Sequence, residues 1–129
     1  MMRNPWIFCA GLLGAAGVVL GAAGSHIAAS KGADMRLHDM AVSYQFYQVM
    51  GLIGCAYALK YAPKLVTLAG VLMMSGIICF SGSLYYLSWT GDVMLRFITP
   101  FGGIQMIAGW AILMLSGFYV WKGSRGSYS

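Results

Sequence analysis

Charge is what this 129-residue sequence has least of: only 9% of its residues are charged, glutamate is absent, and Asp34, Asp39 and Asp92 are its only acids. A soluble domain of ordinary composition carries about a quarter charged residues, so a water-soluble enzyme domain is excluded. Cysteine is scarce and odd in number, at Cys9, Cys55 and Cys79, which excludes a disulfide-stapled secreted module. What fills the chain is apolar: 60% hydrophobic residues and a mean hydropathy of +0.75 exclude a disordered tail. The net charge of +5 does not indicate nucleic acid, because the basic residues stand singly or in pairs between apolar runs and form no stripe. The composition is that of a single transmembrane domain over residues 1–129, with the lipid bilayer as its first partner.

A hydrocarbon core about 30 Å thick takes roughly 20 helical residues to cross. Four uncharged stretches reach that length, at about 6–29, 40–59, 65–89 and 98–121. Each must close its own backbone hydrogen bonds as a helix, because an unpaired amide in lipid costs several kcal/mol. The expected fold is therefore all-α, an integral membrane four-helix bundle of antiparallel, up-down topology. Trp6, Trp89, Trp121, Tyr61 and Tyr119 fall near helix ends, where an aromatic belt would place them. The first stretch also resembles a secretory signal peptide, with Arg3 before it and Ala22-Ala23-Gly24-Ser25 late in it; the membrane-span reading is preferred.

Four crossings put both termini and the turn at 60–64 on one face. That face carries Arg3, Lys60, Lys64, Lys122 and Arg125, five basic residues against Lys31, Arg36 and Arg96 opposite, where all three acids also lie. The positive-inside rule makes it the cytoplasmic face, or the matrix face of a mitochondrial inner membrane.

Small residues mark the expected helix contacts. Gly14, Gly17, Gly21 and Gly24 sit on the first helix, Gly102, Gly103 and Gly109 on the fourth, and Gly17 with Gly21 forms a G-x-x-x-G pair. Between helices in lipid no hydrophobic effect acts, so close backbone approach must hold them together. Packing within the bundle is favoured over a homodimer seam. Thr99 and Pro100 read as the start of the fourth helix, with Thr99 as its cap.

Several segments taken together resemble a known family. They are Gly21-Ala22-Ala23-Gly24-Ser25-His26, Tyr44-Gln45-Phe46-Tyr47-Gln48, Phe80-Ser81-Gly82-Ser83-Leu84-Tyr85, and Thr99-Pro100-Phe101-Gly102-Gly103 with Gly109-Trp110. The sequence is similar in these to the domain-of-unknown-function-423 family, whose mitochondrial branch is the transmembrane-protein-256-like group. The resemblance implies a compact four-helix protein of bacterial or mitochondrial inner membranes, with no settled activity. The family pattern usually has His where this chain has Gln48, and often Ala in place of Ser25.

With this topology the polar side chains gather in the half of the membrane away from the basic face. His26, Tyr44, Gln45, Gln48, Ser83, Tyr85 and Gln105 are the candidate cluster, with Ser25, Tyr47, Ser81, Tyr86 and Thr99 beside them. Polar groups are expensive in a bilayer and turn inward. His26 is therefore expected within hydrogen-bond reach of a side chain on the second or fourth helix. Such a cluster serves as interhelical glue, or as a pocket for a lipid or quinone headgroup. A faint repeat accompanies it: Gly24-Ser25 with Ser30 in the first helix is echoed by Gly82-Ser83 with Ser88 in the third, and a Gln follows each time, at Gln45 and Gln105.

Other chemistry is thin. Met35, His38 and Met40 are soft ligands of the kind Cu(I) favours, but one His without a Cys is a poor site. No acid lies inside an expected span, which argues against an ion-coupled pump. Hydrolase triads, phosphate loops and zinc spacings are missing, so neither enzyme activity, cofactor nor metal is expected. The functional expectation is a non-catalytic accessory or assembly subunit of a larger inner-membrane complex, with the respiratory chain as leading candidate. The alternative is a small carrier or channel for a neutral or lipid-like solute.

Overall fold

The computed structural model describes residues 4–126, with side chains through Gly123; Arg3 and the Arg125 side chain, both counted on the basic face, lie outside what it describes. Four helices follow one another: α1 Trp6–Ser30, α2 Met35–Ala58, α3 Pro63–Thr90 and α4 Ile98–Gly126. There is no strand among the described residues.

Three of them, α1, α3 and α4, are long and apolar enough to cross a membrane. The fourth, α2, is long but carries Tyr44, Gln45, Tyr47 and Gln48 along its middle. It sits centrally, packed against α1, α3 and α4, so protein rather than lipid receives Gln45 and Gln48. The start expected at about residue 40 is too late by more than a turn. Asp34 caps the helix, its carboxylate accepting from the backbone N–H of Arg36 at 3.1 Å and of Leu37 at 3.4 Å. An uncharged window cannot see this, because Arg36 and Asp39 ride on exposed positions of the first turns.

The buried stripe of α2 repeats at alternating spacings of three and four: His38, Ala41, Gln45, Gln48, Leu52, Cys55 and Leu59. Its first half is polar and its second apolar. The apolar half joins Val66, Ala69 and Met73 of α3 in the core.

Two odd-numbered helices each contain a wide π turn, Leu20–Gly24 in α1 and Ile77–Ser81 in α3. Such a turn inserts one residue, shifts the helix phase and loosens a carbonyl for other donors. The turns fall within one residue of matching places in the two halves of the repeat noted above. The helix contacts match as well. A Cβ on Gly21, Gly17 or Gly14 would lie 3.4, 2.9 or 3.7 Å from Val42, Phe46 or Val49 of α2. In the second hairpin Gly76 and Gly109 would meet Met106 and Met73 at 2.6 and 2.9 Å, and a Cβ on Gly102 would overlap the Phe80 backbone nitrogen. In both series the number rises along one helix as it falls along the other, as in an antiparallel hairpin. Each Gly-x-x-x-Gly-type contact named here is made within the chain.

Glycine ends α1 and α3 for a conformational reason: Gly32 and Gly91 stand just past them at φ 76° and 72°, a left-handed geometry that L side chains avoid. The loop after α1 is tied to the end of α3 by Asp34 N–H donating to the Ser88 carbonyl at 2.9 Å. At the other end Asn4 Nδ2 donates to the Ala56 carbonyl at 2.8 Å.

The aromatic belt is realised only in part. Trp121 and Tyr119 are exposed, but Trp6 is buried against Gly70 of α3, which has no side chain to keep the indole out. Trp89 turns into the bundle as well.

Candidate functional site

The polar half of the α2 stripe carries a set of hydrogen bonds between helices. His38 is fully buried, and both its ring nitrogens are engaged. The indole N–H of Trp89 can only donate, so it donates to Nδ1, at 3.0 Å. That leaves the ring proton on Nε2, which donates to the Leu20 carbonyl at 2.9 Å. Leu20 opens the π turn of α1, and the same carbonyl accepts from Ser25 Oγ at 3.3 Å. Tyr85 meets the imidazole edge-on with centroids 5.5 Å apart.

Two turns further along α2, Gln45 bridges α1 and α3. Its Nε2 donates to the Leu13 carbonyl at 2.7 Å, and its Oε1 accepts from the Tyr85 hydroxyl at 2.8 Å. Ser81, in the π turn of α3, donates to the Ala41 carbonyl at 2.8 Å. Ser83 donates to the Phe80 carbonyl at 2.9 Å and pairs with the Thr99 hydroxyl. Thr99 thus lies within the first turn of α4 and links it to α3 instead of capping it.

Of the residues picked out from sequence, Gln45 and Tyr85 come together, while Ser83 pairs separately with Thr99. His26 joins neither pair. Its side chain is exposed on α1 and makes no hydrogen bond to α2 or α4, so the expectation placed on it is overturned. The buried face of α1 past the π turn passes instead through Gly24 and Ala28, leaving His26 outside. Tyr44 stays at the surface, its ring tilted against Phe80 at 52° with centroids 4.8 Å apart. Gln48 is buried but separate: its Oε1 has no partner, and neither has Oε1 of Gln105.

Sequence reasoning missed His38 as a member of the network, assigning it to a loop with Met35 and Met40. With Nδ1 accepting and Nε2 protonated, the ring offers a metal no free lone pair. The signal that could have found it is the Asp34 cap, which puts His38 on the buried heptad positions shared with Gln45 and Leu52.

A set of apolar, membrane-length helices around inward-turned polar side chains defines an integral membrane protein of the inner-membrane type. The chain belongs to the family described as protein of unknown function (DUF423), whose model matches residues 20–103. That match spans both π turns and the whole network except the Leu13 carbonyl. Among curated relatives, the UPF0382 membrane protein YwdK of Bacillus subtilis is 40% identical over 106 residues, covering 77% of this chain and 84% of its own length. The UPF0382 membrane protein SH2409 of Staphylococcus haemolyticus is 41% identical over 100 residues, covering 76% and 82%. The UPF0382 inner membrane protein YgdD of Escherichia coli is 32% identical over 101 residues, covering 76% and 77%. No solved structure matches the chain.

Proposed function

We propose that this chain is a small, non-catalytic, four-crossing protein of the inner membrane, an up-down bundle with both termini on the cytoplasmic face. In this reading it packs as an accessory or assembly subunit against a larger membrane complex. The observation that carries the reading is the contrast between its interior and its exterior. Inside, His38, Trp89, Gln45, Tyr85 and Ser81 bond to one another or to backbone, and so hold the helices in one register. Outside, α1 and α4 present large apolar side chains such as Phe8, Met114 and Phe118, interrupted at Gly11 and Gly117, where a Cβ would find nothing within 4 Å. Such openings let a helix of another subunit approach closely, which is how membrane helices associate. The respiratory chain is the candidate host complex in this reading; the relatives' names speak of a membrane protein and of no particular complex.

The test is mild crosslinking in the native membrane followed by purification through a C-terminal tag. The expected product is a defined adduct with another integral membrane protein, reduced when Gly11 and Gly117 are replaced by leucine. A chain recovered only as a monomer, with no adduct in either form, would overturn the reading.

A further inference from the structure

A groove of about 320 Å³ lies between α2, α3 and α4, apart from the His38 network. Its walls are aromatic, with Tyr44 and Tyr47 from α2, Phe80 from α3 and Trp110 from α4, and Gly103 leaves the floor open. No charged residue lines it. Gln48 does, and it is only 3% exposed while its Oε1 has no hydrogen-bond partner. Buried amide oxygens in native proteins are almost always satisfied, so an orphan acceptor on a side chain that lines a ligand-sized groove calls for a donor from outside, reached once the amide rotates toward the groove.

Depth restricts what that donor can be. Gln48 is the fourteenth residue of the 24-residue helix Met35–Ala58, near its midpoint. In the four-crossing reading, on which this depth rests, at about 1.5 Å per residue it lies roughly 20 Å from the helix start, far from either interface of a ~30 Å core. A phosphate or ammonium headgroup does not travel there without a large penalty. A neutral planar ring does, and Tyr44, Phe80 and Trp110 supply faces and edges for it to stack on.

We infer that this groove binds the ring of a neutral quinol-type amphiphile, with a ring hydroxyl donating to Gln48 Oε1 and the ring held among Tyr44, Phe80 and Trp110. The occupant enters sideways from the lipid, so no path through the bundle is needed. The inference is independent of the assembly reading, because it concerns binding to the isolated chain.

The experiment uses the full chain in detergent, kept anaerobic with reductant, titrated with duroquinol and separately with its dimethyl ether, which has no hydroxyl to donate. Binding is read from a saturable change in Trp110 emission, identified by its absence in Trp110→Phe. Duroquinol is expected to bind about tenfold more tightly than the ether in the native chain and equally weakly in Gln48→Leu. Gln48→Leu removes an unsatisfied group and is expected to unfold no more easily than the native chain, so lost binding is not lost folding. Gly103→Leu, which fills the floor of the groove, is expected to abolish saturation. The inference is overturned if duroquinol and its ether bind alike, if Gln48→Leu binds as the native chain does, or if no saturable change appears.

Discussion

His38 and His26 are the only histidines in the chain, twelve positions apart, and the fold treats them in opposite ways. His38 joins three helices through two hydrogen bonds and an edge-on tyrosine; His26 projects from α1 with no partner. Hydrogen bonds between membrane helices average only ~0.6 kcal/mol, so the two made by His38 contribute about 1 kcal/mol. The space left by a buried ring, and a Trp89 N–H with nothing to donate to, add more. His38→Ala is expected to cost about 2–4 kcal/mol in total. His26→Ala is expected to stay within about 0.5 kcal/mol of the native chain. Reversible denaturation in mixed micelles measures both, and equal effects would remove His38 from its place at the centre of the network.

At the scale of elements, the four rods and their small-residue faces are legible from the sequence, because length, apolarity and glycine spacing act locally. What is not legible is phase. A π turn carries no compositional mark: Leu20–Gly24 reads as Leu-Gly-Ala-Ala-Gly and Ile77–Ser81 as Ile-Ile-Cys-Phe-Ser, with nothing else in common. The cost of a polar group in lipid points His26 inward, but the buried face of α1 runs through Gly17, Gly24 and Ala28, and His26 lies about 180° from Gly17 at about 100° per residue. Charge hid the start of α2 for a related reason. Asp34 is a cap before it is an acid, and a search for uncharged windows discards it. Glycine contacts can be ranked only from coordinates. Gly102→Ala would force a methyl into the backbone of Cys79 and Phe80, which cannot move without parting α3 from α4. A loss of about 1–3 kcal/mol is expected. Gly103→Ala meets the Phe80 ring at 3.7 Å, an ordinary contact, and Gly117→Ala meets nothing. Both are expected to be neutral or to stabilise by up to about 1 kcal/mol through helix propensity. Thermal denaturation of the three variants side by side decides the order; a tolerated Gly102→Ala would mean that α3 and α4 do not pack this closely.

For the whole molecule the decisive helix is α2, whose composition is the least suited to lipid and whose position makes the others cohere. If α2 crosses, Lys31 and Lys60 lie on opposite sides of the membrane, and Lys31 and Val93 on the same side. The described basic residues Lys60, Lys64 and Lys122 then share the cytoplasmic face, while Lys31, Arg36 and Arg96 share the other with every acid in the chain. Single cysteines at these exposed loop positions report the arrangement through a membrane-impermeant maleimide, read against the native chain as background, since Cys9, Cys55 and Cys79 sit within helices and none is fully exposed. Lys31→Cys and Val93→Cys are expected to label from outside the inner membrane, and Lys60→Cys only after permeabilisation. Exchange of the two patterns would invert the bundle and leave the packing intact. Labelling of Lys31→Cys and Lys60→Cys from one side would mean that α2 does not cross. Gln45 and Gln48 would then have no reason to be shielded by three neighbours, because a helix lying outside the hydrocarbon can leave its amides to water.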